Sequence, residues 1–175
     1  MQTTAAASRA ECDLRVAAQM GAGGMALGYE FRNRSGQVAF LFNVLHRGGA
    51  GDANLIYAQA QGGALTLSKK IIAVPRDIEV EKPDVPYVTR VGPGEAFREK
   101  LDVAVPVKLW APYPGAAGRA PEGAELEVWF EVGFFLTGDA GVAREAGGRL
   151  VIYPFAAEKQ IVLRAGPLGR VAVRG

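Results

Sequence analysis

At 175 residues, 49% of them hydrophobic and 22% charged, the chain can bury a core of its own and needs only one domain. Twenty Lys and Arg against eighteen Asp and Glu leave a net charge of +2 with no block of basic residues, so nucleic-acid binding has no compositional support. Cys12 is the only cysteine, which excludes an intramolecular disulfide and a thiolate metal cage.

Residues 1–11 carry neither the apolar core nor the basic start of a secretory leader and are expected to form a flexible N-terminal segment ahead of a single domain over residues 12–175. The run Arg9-Ala10-Glu11-Cys12 invites comparison with a lipoprotein cleavage site, but Glu11 stands where such sites carry a small residue. No apolar run reaches eighteen residues, so no membrane span is expected. The cytoplasm is the default address, and a leader removed ahead of this chain would leave no trace in it.

Leu14, Val16, Ala18 and Met20 alternate with Asp13, Arg15, Ala17 and Gln19, which predicts a first half-exposed strand. Gly21-x-Gly23-x-x-Ala26 then imitates a dinucleotide fingerprint. Residues 27–32 alternate as a strand, however, and leave no helix for a pyrophosphate to cap, so a turn is expected there. Residues 38–45 are apolar on both faces apart from Asn43, as in a strand covered from both sides. Its pairing with residues 26–33 across Asn33-Arg34-Ser35-Gly36 is the predicted local contact. Residues 46–52 read as a flexible Gly-rich loop. Residues 54–61 and 65–74 are strand candidates joined at Gly62-Gly63.

Residues 75–86 hold Pro75, Pro83 and Pro86 and predict a long crossing connection with an edge strand at 78–81. A short strand at 87–91 and a Gly92-Pro93-Gly94-Glu95 turn lead into a long strand over residues 96–105. That strand carries Phe97, Leu101, Val103 and Val105 on one face, with Glu99 near its exposed end, and Arg98, Lys100 and Asp102 on the other. Residues 125–135 form the most regular stretch. Leu126, Val128, Phe130, Val132 and Phe134 share one face, and Glu125, Glu127, Trp129, Glu131, Gly133 and Phe135 share the other. If these two long strands are neighbours, Arg98 and Lys100 pair with Glu127 and Glu131. Closing strands are expected at 150–155, 160–165 and 170–173. About ten short strands with little helix predict an all-β fold, an antiparallel two-sheet β-sandwich of immunoglobulin-like or jelly-roll topology.

The order of strand, Asn33-Arg34-Ser35-Gly36 turn, apolar strand and later Gly92-Pro93-Gly94-Glu95 turn resembles bacterial immunoglobulin-like modules. Among these it is similar to the intracellular proteinase-inhibitor type, which also has an Asn-Ser turn and a Pro-Gly-Glu turn. The resemblance implies an immunoglobulin-like sandwich and transfers no functional residue.

Chemistry is sparse. His46 is the only histidine, and Ser8, Ser35 and Ser68 are the only serines; nothing in their spacing suggests a triad, so His46 is expected to be an ordinary loop residue. Glu127 and Glu131 lie roughly 13–14 Å apart along one strand, too far for a glycosidase pair at about 5–9.5 Å. Threonine, lysine and carboxylate chemistries stay open, but no catalytic residue, metal ligand or cofactor is assigned. Exposed aromatics framed by charge favour a partner surface, here Glu127, Trp129, Glu131 and Phe135, for another protein or a second copy of the chain. The bland alternative places Trp129 beneath a crossing loop and uses Trp110 and Tyr113 to close one end of the sandwich. A third reading makes Trp110 and Tyr113 a loop for a small molecule or carbohydrate.

Overall fold

The computed structural model describes residues 1–47 and 50–175. Fifteen strands and two single-turn 3-10 helices are present among them. In chain order the strands are β1 (Gln2–Arg9), β2 (Cys12–Gly21), β3 (Gly24–Asn33), β4 (Val38–Arg47), β5 (Ala50–Asp52), β6 (Tyr57–Gln61), β7 (Ala64–Lys69) and β8 (Tyr87–Val91). They continue with β9 (Ala96–Ala104), β10 (Val107–Lys108), β11 (Glu125–Thr137), β12 (Arg144–Ala146), β13 (Arg149–Val151), β14 (Ile161–Ala165) and β15 (Arg170–Arg174). A four-stranded sheet in the order β1-β2-β3-β9 packs on an eleven-stranded sheet, so the expected all-β, two-sheet architecture is present. The larger sheet is not purely antiparallel, because β7 joins β11 and β10 joins β15 in parallel.

Strand β11 organises the larger sheet. One edge carries β7 against residues 127–132 and β4 against residues 134–137; the other carries β15 against residues 125–127 and β14 against residues 130–134. Leu126, Val128, Phe130, Val132 and Phe134 all point into the core and are at most 9% exposed. Across the gap, Tyr29 meets Phe130 and Phe31 meets Phe134, each at 4.9 Å between ring centroids. Such pairs add about 0.5–1.5 kcal/mol beyond the area they bury.

The apolar strand β4 is buried along residues 38–45, as its two-sided pattern requires. Ala39 and Leu41 face the space between the sheets, whereas Val38, Phe40 and Phe42 join Ile71, Val88 and Ile152 in a second core. A third cluster gathers Leu45, Tyr57, Ile72 and Tyr113.

Several expectations are corrected. Strands β3 and β4 do not pair, since β3 lies between β2 and β9 while β4 lies between β11 and β8. The turn after Asn33 is therefore an arch from one sheet to the other. Asn33 is fully buried; its Nδ2 donates to the carbonyls of Gln37, Val91 and Gly92 at 2.7, 3.0 and 3.2 Å, and its Oδ1 accepts from Ser35 N and Oγ. Asn33 N donates to Glu95 O and Gly94 N to Asn33 O, so the two turns that carry the family resemblance meet at one corner. These bonds satisfy the buried Asn33 amide and tie the arch to the turn at residues 92–95.

No strand forms at 78–81, where Ile78 and Val80 instead pack on the third cluster. Because β9 sits in the smaller sheet, Arg98 pairs with Glu30 rather than with β11, and Glu131 pairs with Lys70 and Arg164. Within the expected loop 46–52, β4 continues to Arg47 and β5 pairs back onto it; Gly48 and Gly49 lie outside the described residues. The segment expected to be flexible contains β1, paired with β2 through eight residues around the two-residue turn Ala10-Glu11. Ala5 and Ala7 anchor it on the core.

Candidate functional site

The outer face of β11 does not present its four singled-out residues as one open patch. Phe135 packs edge-on to Phe155 at 4.9 Å beside the second core. Trp129 donates from Nε1 to Glu127 Oε1 at 3.0 Å and lies under the Arg164 guanidinium, 4.6 Å from its ring centroid. Gly166 presses on the same indole so closely that a Cβ there would stand 2.8 Å from it. Glu131 is only 7% exposed and is gripped by Lys70 and by Arg164, whose Nη1 is 2.8 Å from Oε1. Glu127, Trp129 and Glu131 thus belong to one polar network, and Phe135 belongs to the packing beneath the loop at 155. The bland alternative for Trp129, cover by a crossing segment, describes its surroundings.

Trp110 and Tyr113 both belong to the third cluster. Trp110 meets Tyr57 at 5.1 Å and is capped by the Arg47 guanidinium at 4.2 Å, while Tyr113 is 7% exposed and accepts from Asp84 N at 2.7 Å. Trp110 also bridges Ala58 in the main chain, so this loop seals the outer edge of β6.

His46 is less isolated than its sequence context suggests. Its Nε2 lies 3.0 Å from Asp84 Oδ1 and 3.1 Å from Val85 O, and Tyr57 donates to Asp84 Oδ2 at 3.3 Å. Burial raises the Asp84 carboxyl, an effect that His46 and Tyr57 oppose. The group borders a cleft of about 340 Å³ with Lys82, Tyr87 and Tyr153 on its walls. An imidazole beside a carboxylate can hold or pass a proton. None of the three serines joins it, because Ser8 bonds Asp13, Ser35 bonds Asn33 and Ser68 is buried in β7. Among the described residues no three His, Cys, Asp or Glu side chains are grouped to hold a metal ion. What His46 and Asp84 visibly do is tie the connection after β7 to the end of β4. Cys12 is likewise buried, and desolvation pushes its thiol up to about 11.

Sequence reasoning missed two features. Lys69 has no exposed side-chain surface and reaches Glu99 of the opposite sheet at 2.9 Å; Glu99 also accepts from Tyr29 Oη at 2.6 Å. The signal was present in the alternation, since Lys69 follows Leu65 and Leu67 on the inward face of β7, and Glu99 shares a face with Leu101 and Val103. The other feature is the free edge of β1, which pairs only with β2 among the described residues.

Several other sheet margins are guarded in the ways that prevent unwanted strand pairing, whereas β14 pairs only with β11 among the described residues and leaves a second, shorter open edge close to β1. Strands β5, β10 and β12 are two or three residues long. β9 carries Arg98, Lys100 and Asp102 outward and Glu99 inward. β6 is covered by bridges from Trp110 and Gly118, the latter at φ +71° and so near Ala60 O that a Cβ would stand 2.0 Å from it. β1 spans eight residues with Arg9 as its only charge.

Comparison with known proteins leaves the residues to speak for themselves. No family model matches the chain, and neither the curated proteins nor the solved structures give a match.

Proposed function

We propose that the chain is a non-catalytic protein-interaction module that takes up an extended segment of another protein by strand addition at β1. The observation that carries this reading is the outer edge of that strand, a row of backbone donors and acceptors that, among the described residues, has no hydrogen-bonded partner strand along residues 2–9, although β14 of the larger sheet packs nearby. Added strands gain affinity from main-chain hydrogen bonds and specificity from side chains at alternate positions. A shallow trough of about 540 Å³ lies next to the edge on the outer face of the smaller sheet, bordered by Ala6, Ala17 and Gly28 and by Arg15, Arg98 and Lys100. Its small residues leave room for side chains; Arg98 is held by Glu30, and Arg15 and Lys100 remain on the rim to favour an acidic segment.

The test uses a displayed library of random peptides about twelve residues long, selected against the whole chain. Enriched peptides should be acidic and extended. Because successive N–H groups of a strand point to opposite edges, one of Thr4→Pro and Ala5→Pro removes a free donor and the other removes a bond to β2. The variant that keeps the parental unfolding midpoint should lose peptide binding. Peptides that bind equally well to that variant, or a dimer of the chain that the same variant dissolves, would contradict capture of another protein at this edge.

A further inference from the structure

The polar network on the outer face of β11 closes one side of a recess of about 470 Å³, lined by Gln59, Thr66, Lys70, Glu131 and Arg164 together with the turn at 115–118. The sheet register builds this wall. Tyr57, Ser68, Glu131 and Arg164 stand in one row across β6, β7, β11 and β14, and Gln59, Thr66 and Trp129 stand in the next. Lys70 follows directly after β7. The recess falls within the range of about 300–1,000 Å³ that small-molecule sites occupy. It is separate from the β1 edge, which belongs to the other sheet.

The geometry points to this recess as a binding site for a neutral polyhydroxylated ligand, a hexose or a cyclitol. Charge decides the class. Lys70 and Arg164 both grip Glu131, so the two basic groups of the lining converge on one carboxylate. An anion meets the Glu131 carboxylate on the wall, and a cation meets the two basic groups. Vicinal hydroxyls suffer neither conflict, since each donates to a carboxylate and accepts from an ammonium or guanidinium. Glu131 accepts one bond on each oxygen from Lys70 and Arg164, and a carboxylate has about four lone-pair sites, so it can take further donors. Arg164 also reaches Thr66 Oγ1 at 3.4 Å, and Gln59 Nε2 is fixed by donation to Ala116 O at 2.8 Å. These groups are held in place before any ligand arrives, which lowers the ordering cost of binding.

Trp110→Phe leaves Trp129 as the sole tryptophan, a reporter stacked against Arg164. Fluorescence and calorimetric titrations of this variant and of the parent would use glucose, galactose, mannose, N-acetylglucosamine and myo-inositol. Glucose 6-phosphate and glucosamine serve as the charged counterparts. At least one neutral probe should saturate, in both readouts, more tightly than either charged one. Glu131→Gln should weaken it about tenfold or more, and Gln59→Ala, a milder change at the rim, should weaken it measurably with the unfolding midpoint unchanged. Absence of saturable binding by every neutral probe up to about 50 mM would overturn the inference. So would tighter binding of a charged probe, or binding that both variants leave unaltered.

Discussion

Lys69 Nζ lies 2.9 Å from Glu99 Oε2 and bridges the two sheets through a lysine side chain with no exposed surface. The Ala53 carbonyl accepts from the same ammonium, and the Tyr29 hydroxyl donates to the same carboxylate oxygen. Removing one member strands the other charge in the interior. Lys69→Met should therefore lower the unfolding free energy by about 3–5 kcal/mol, whereas Lys69→Met with Glu99→Leu should recover most of that loss. Urea titrations of the single and double variants check it; a single variant as stable as the parent would mean that the pair is solvated.

High pH tests the same region. Burial raises the phenols of Tyr29, Tyr57 and Tyr113, with Glu99 adding to the first and Asp84 to the second. A group whose folded value lies above its ordinary 10.0 keeps its stabilising contribution below that pH and loses it as the pH rises further. Lys69 acts in the opposite sense, since burial lowers it from 10.5 and the folded amine sheds its proton first. The lysine effect ends near its ordinary value while the tyrosine effect keeps growing. Unfolding free energy should consequently fall above about pH 10.5, and Tyr29→Phe should make the fall shallower.

The hairpin from β1 to β2 turns on Ala10 at φ +51° and Glu11 at φ +57°. Non-glycine residues pay about 1–2 kcal/mol each in this conformation, and two-residue hairpins favour Asn-Gly there. Ala10→Asn with Glu11→Gly should stabilise the chain by about 1 kcal/mol or more in urea unfolding. No gain, or a loss, would mean that the turn has another shape.

Gly133 marks the place where β7 leaves β11 and β4 takes over. Gln160 spans it, accepting from Ile71 N at 3.0 Å and donating to Ile71 O at 2.7 Å. A Cβ at Gly133 would stand 2.3 Å from Gln160 Oε1 and 2.7 Å from Lys70 Cβ. Gly133→Ala should cost about 1–3 kcal/mol by overpacking. Gln160→Ala should cost less, and the pair should fall short of the sum because both act on one clamp.

Much of this architecture was legible in two-residue alternation. The faces of β11, the two-sided burial of β4 and the Gly62-Gly63 hairpin all follow from side-chain pattern and turn chemistry. What escaped were relationships between strands distant in sequence. Nothing local says that Asn33 will arch between sheets, because the carbonyls it binds belong to Val91 and Gly92. β1 was illegible because Ala10-Glu11 lacks every usual turn residue and Thr3, Ala5 and Ala7 alternate only weakly with their neighbours. The polar network at Glu131 was half visible. Glu127, Trp129 and Glu131 stand on one face by pattern, but Lys70 and Arg164 reach them only through the pairing of β7 and β14 with β11.

Residue-resolved amide exchange along β1 tests the interaction reading most directly. A strand bonded to β2 on one side and open on the other should show strict alternation, every second amide from Thr3 to Ser8 protected and those between exchanging rapidly. Addition of an acidic, extended peptide should slow the fast set and leave the slow set unchanged. Uniform protection of all these amides in the free chain would mean that the edge is already occupied, and uniform rapid exchange would mean that no such strand exists.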